Sequence, residues 1–143
     1  MNWKRFLIAI AFAFVVATAF DILINAVLLR RDWMVTAQCW RPAAELNRLV
    51  PLGWAAMLGV MILQSVIFVR AGWRGLRRGL EFGCWLGLAA FVGVAGGMSS
   101  MVAWPPKIII GMALQQVVNS LVTGLSLGWL YRPTGSAEVT GFS

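Results

Sequence analysis

Asp21, Asn25, Gln115, Gln116 and Asn119 are the residues of this chain whose types and spacing point to shared chemistry. Asp21 and Asn25 stand one helical turn apart, so on a helix they share a face. Gln115, Asn119 and Thr123 form a second row with the same spacing, and Gln116, Ser120, Gly124 and Gly128 form the row beside it. One carboxylate among amides can hold a proton, a cation or the N–H of a small polar ligand. It can equally tie helices together by hydrogen bonds, each contributing about 1 kcal/mol or less inside a membrane.

Catalysis has less support. The chain has no His, and its two cysteines, Cys39 and Cys84, are far apart in sequence. No pair of carboxylates falls at one depth, and no glycine loop of phosphate-binding form occurs. These absences predict a non-enzyme with no catalytic residues, no metal site and no cofactor.

The segments that must position these residues are long and apolar. Of 143 residues, 60% are hydrophobic and 12% are charged, half the charged share of about 25% in soluble domains. Four blocks are long enough to cross a bilayer, a crossing that takes about 20 residues. They run over about 6–29, 51–69, 80–104 and 108–130. The expected fold is therefore all-α, a four-transmembrane-helix bundle forming one domain over 1–133, with a small polar tail over 134–143 expected to be disordered. Ala17-Thr18-Ala19 resembles a signal-peptide cleavage site, but the apolar run continues well past it. An uncleaved first span is expected.

Asp21 sits inside the first block, where an ionised carboxylate costs at least roughly 2.5 kcal/mol on insertion scales. Counted at about 1.5 Å per residue, Asp21, Gln115 and Gln116 fall at one level and Asn119 near mid-membrane. Ser99 or Ser100 is expected at the rim of this cluster, and Gln64 on the inner side, apart from it. No basic residue lies at that depth.

The net charge of +7, from 12 Lys and Arg against 5 acids, reads as span flanks that orient the chain and meet lipid headgroups. Nucleic acid is not an expected partner; the lipid bilayer is. The Arg70–Arg78 loop, with Arg70, Arg74, Arg77 and Arg78, is the densest basic block and is expected in the cytoplasm, which places both termini there. Glu81 falls at helical pairing distance from Arg77 and Arg78. In the first loop, Pro42 with Ala43, Leu46 and Val50 predicts a short interfacial helix, and Trp33 and Trp40 favour the headgroup layer. Pro51 is expected in the first turn of span two.

Gly79, Gly83 and Gly87 line one side of span three, and Gly93 and Gly97 repeat the spacing further along. Together with Gly124 and Gly128, they are expected to let helices pack closely, within the bundle or on another membrane protein or second copy.

These residues resemble a group of small four-helix bacterial membrane proteins usually labelled uncharacterised. The likeness rests on Phe20, Asp21, Leu23 and Val27 to Leu29; on Thr36, Trp40 to Pro42 and Glu45; and on Gly79, Leu80, Phe82, Gly83, Gln116 and Tyr131 to Pro133. The resemblance implies four spans in a bacterial cytoplasmic (inner) membrane. A His often stands in that group where this chain has Asn25, and no activity comes with the likeness. Two functions follow as expectations: a non-enzymatic accessory or assembly subunit with a buried polar cluster, or a small channel, carrier or sensor using Asp21 and the amides of span four.

Overall fold

A computed structural model describes residues 3–39 and 41–131, with side chains for all of these except Cys39 and Ala43. The tail expected over 134–143 lies outside the described residues. All regular structure among the described residues is helical. Helix α1 (Trp3–Leu23) passes into a single π turn (Ile24–Leu28). A short helix, α2 (Arg30–Val35), and a 3-10 turn (Ala37–Cys39) lead to α3 (Ala43–Arg70), α4 (Leu76–Met101) and α5 (Pro106–Leu130). The first span with its π turn, α3, α4 and α5 are each long and apolar enough to cross a membrane.

The termini of these helices follow local chemistry. Gly72 and Gly75 take positive φ between α3 and α4, a conformation glycine adopts without steric cost. The Gly75 N–H then donates to the Tyr131 carbonyl at 2.8 Å, which pins this turn to the end of α5. At the other end Val102 is extended, and Pro106 opens α5 in its first turn, where its missing N–H costs nothing.

Two expectations change. Ala43–Val50 is not a separate short helix; it forms the first turns of α3, which runs 28 residues through Pro51. Pro51 is therefore interior, and its missing N–H leaves the carbonyl one turn earlier without its helical donor. The separate short helix of the first loop is α2.

Helix α5 packs on α1, α3 and α4. The α4 contact is backbone to backbone: a Cβ on Gly83 would stand 2.8 Å from the Ser120 carbonyl oxygen, and one on Gly87 would stand 3.1 Å from the Val117 Cα. A Cβ on Gly79 would collide with the Gly124 carbonyl, and one on Gly128 with that of Gly75. Further along α4, Gly93, Gly96 and Gly97 have nothing within 4 Å of that position. These three glycines lie off the row of Gly79, Gly83 and Gly87 and do not face α5.

Helix α3 is buried mainly towards the arginine-rich end. Its fully buried side chains are Met61, Ser65 and Phe68, all in its second half. Phe68, Trp73 and Phe82 meet with centroids 5.4 to 6.0 Å apart, over Ala9 and Leu127. Tyr131 packs against this cluster, and burial pushes its phenol above the ordinary value, opposed by the charge of Arg5. The bundle is closed at the arginine-rich end and open at the other. Glu81 accepts from Arg77 at 3.1 Å and Arg78 at 2.8 Å on that closed end.

Candidate ligand cavity between three helices

The face that carries Asp21 is set by alanines. Ala9, Ala13 and Ala17 are buried, and their four-residue spacing continues to Asp21 and Asn25. Small side chains let α1 lie close to α5, so the polar residues that follow in the same row meet the row of glutamines. Leu29 fixes the far end of this contact, since it fills the space where a Gly111 side chain would be.

Asn25 is the hub of the polar contacts. Its Nδ2 donates to the Asp21 carbonyl and to Asp21 Oδ1, each at 3.0 Å, and to Gln115 Oε1 at 3.3 Å. Its Oδ1 accepts from Trp33 Nε1 at 3.1 Å. Asn25 itself lies in the π turn, one helical turn beyond Asp21. Outside this hub, Asp32 accepts from Lys107 at 2.7 Å, and Trp33 meets Trp104 edge to face at 6.0 Å. These contacts hold α2 over the open end of α5.

Where α3 leans away, a cavity of about 520 Å³ opens between α1, α3 and α5. Asp21, Gln64, Gln115, Gln116, Asn119 and Ser120 form its polar wall, and α3 supplies an apolar wall from Val50 to Met61 that includes Trp54, Met57 and Val60. Along α3 it reaches from Val50 to Gln64, about 21 Å at the helical rise. The buried Met61, Ser65 and Phe68 close it towards the arginine-rich end.

The polar wall is under-used. Gln64 Nε2 donates to Ser120 Oγ at 3.4 Å, and Asn119 Nδ2 lies 3.8 Å from the Met57 sulfur, a weak acceptor. Asn119 is only 7% exposed, and its Oδ1 is buried with no donor among the described residues. Such an orphan costs about 1 to 3 kcal/mol. One oxygen of Asp21 and the whole Gln116 amide are likewise without a hydrogen bond among the described residues.

Of the expected cluster, the structure brings Asp21, Gln115, Gln116 and Asn119 to one cavity and joins Asn25 to it through Asp21 and Gln115. Ser99 and Ser100 are not at its rim. Ser99 lies in a separate apolar recess with Trp104 and Ile109, and Ser100 Oγ donates to the Gly97 carbonyl of its own helix at 2.8 Å.

Gln64, expected apart on the inner side, belongs to the cavity. Helical side chains lean towards their own N-terminus, which for α3 is the open end, so the amide reaches back to Ser120. Ser120 was legible as the next member of the Gln116 row. Trp33, read in the sequence as a headgroup residue only, reaches Asn25 from α2. Cys84 is exposed on α4, away from the cavity lining. No group of three His, Cys, Asp or Glu that could hold a metal ion occurs among the described residues.

Fold and site together define a membrane helical bundle with a one-sided polar cavity. No family model matches the sequence, and no curated protein or solved structure matches it either.

Proposed function

We propose that this is a non-enzymatic, multi-pass protein of the bacterial cytoplasmic membrane that binds a small polar or cationic ligand in the Asp21 cavity. The observation that carries the reading is the unspent hydrogen-bonding capacity of the polar wall. Residues serving only as interhelical glue would be expected to satisfy one another. Here the cross-helix contacts made by the wall's own Gln64, Gln115 and Asn119 span 3.3 to 3.8 Å, and Gln116 makes none among the described residues. A volume of about 520 Å³ lies within the range of about 300 to 1,000 Å³ for small-molecule sites.

The arginine-rich loop supports a cytoplasmic closed end with both termini inside, so the cavity opens outward. On that orientation α2 and the start of α3 lie in the outer headgroup layer. Asp21 acts as the charged anchor, the amides as orienting groups, and Met61 with Phe68 as the inner seal. A sealed floor fits a sensor or a carrier in its outward state better than an open channel.

The test is aqueous access. In a background with Cys39→Ser and Cys84→Ser, Met57→Cys on the cavity wall is compared with Leu63→Cys, which is 61% exposed on the outer surface of the same helix. A membrane-impermeant cationic thiol reagent applied to intact cells is expected to modify position 57 and leave position 63 in lipid unmodified. Equal, absent or reversed labelling would overturn the proposal.

A second reading, an accessory or assembly subunit, is favoured by the open glycine face of Gly93, Gly96 and Gly97. Another helix, from a partner or a second copy, would approach closely there. Gly93→Leu with Gly97→Leu would then abolish recovery of a partner or a dimer in mild detergent while the labelling at position 57 persists.

A further inference from the structure

We propose that the ligand of the Asp21 cavity is an organic ammonium ion, with its nitrogen at Asp21 and its apolar part along the α3 wall. The inference rests on the cavity being a binding site and adds the chemical class.

Charge is the first argument. Among the described residues Asp21 is the sole ionisable side chain lining the cavity, and one of its oxygens has no hydrogen bond there. A ligand bearing one positive charge would supply the counter-charge that the described residues do not place there, whereas an anion would be repelled by Asp21.

Donor balance is the second. The second Asp21 oxygen and the Gln116 amide have no hydrogen bond among the described residues, and both belong to residues lining the cavity. A primary ammonium group presents three N–H donors and no acceptor, which suits a wall that offers a carboxylate oxygen and amide oxygens.

The opposite wall is the third argument. Trp54, Met57 and Val60 offer carbon, a thioether and an indole. An indole face attracts an organic cation, and methionine adapts to irregular apolar shapes. A bare metal ion would use none of this surface, and a calcium ion, for example, needs six to eight oxygens at about 2.3 to 2.6 Å, a shell that a half-apolar cavity of about 520 Å³ does not supply.

The test uses the purified full-length protein in mild detergent, with phenethylammonium chloride and 2-phenylethanol as matched probes and sodium chloride as the metal-ion control. Calorimetry is expected to give saturable binding of the ammonium probe at least tenfold tighter than the alcohol. Asp21→Asn should abolish that difference, and Trp54→Leu should weaken both probes. Equal affinity for amine and alcohol, or tighter binding of sodium than of the amine, would overturn the assignment. The wild-type comparison decides this even if Asp21→Asn does not fold. If neither probe binds while position 57 is still labelled, the ammonium assignment fails and the cavity reading stands. If labelling fails as well, both fall.

Discussion

Gly79 and Gly124 meet backbone to backbone, and a methyl group on either would collide with the carbonyl oxygen of the other. That contact places α5 against α4 at the arginine-rich end and leaves the opposite half of α5 to face Asp21 and α3. The cavity lies on another side of α5, where Gln115, Gln116 and Asn119 meet the space between α1 and α3.

Alanine at Gly79 or Gly124 is expected to destabilise the bundle by about 2 kcal/mol, because backbone cannot yield as a side-chain tip can and overpacking costs about 1 to 3 kcal/mol. Gly93→Ala, with open space around it, should leave stability unchanged. Unfolding in mixed detergent micelles reads the difference. Equal effects at positions 79 and 93 would contradict the packing.

The polar wall separates adhesion from binding. Gln115→Leu removes a 3.3 Å bond to Asn25 and is expected to cost about 0.6 kcal/mol, the average for such contacts in a membrane protein. Gln116→Leu removes no hydrogen bond and should leave thermal stability unchanged or slightly raised while weakening ligand binding. A marked loss of stability at Gln116 would favour the adhesive role.

Much of this site was legible in the sequence. The acid in an apolar run, its partner one turn on and the amide rows of α5 placed Asp21, Asn25, Gln115, Gln116 and Asn119 from helical periodicity alone. The wedge between α3 and α5 was not legible, because helix tilt is set by packing at the far end, by Phe68, Trp73, Phe82 and the glycines. Gln64 joins the cavity for a related reason: helical rise gives the depth of the backbone, while a glutamine amide reaches about a turn back along its helix. The continuous helix through Pro51 escaped notice because proline opens helices more often than it sits within them.

The Asp32–Lys107 pair clamps α2 to α5, with side chains 23% and 65% exposed. Screening limits such a pair, so Lys107→Gln is expected to cost about 0.5 kcal/mol. The loss should shrink towards zero in high salt, as followed by thermal unfolding at low and high ionic strength. A salt-independent loss of several times that size would contradict a surface clamp.

Tyr131 gives a pH dependence at the closed end. Burial raises its phenol above the ordinary value of about 10, with Arg5 opposing, so the folded state favours the protonated form. Its contribution is complete below the unfolded value and declines as pH rises through the higher folded one. Stability of the wild type should therefore fall more steeply above pH ~10 than that of Tyr131→Phe. Parallel alkaline unfolding curves would contradict this.

Wetness of the space between α3 and α5 is the central claim, and the collision rate of a nitroxide on Ala56→Cys measures it most directly. A water-soluble nickel chelate is expected to relax that label more strongly than oxygen does, with the order reversed for a label on Leu63→Cys in the lipid. Oxygen prevailing at both positions would show acyl chains filling the wedge and would contradict the account.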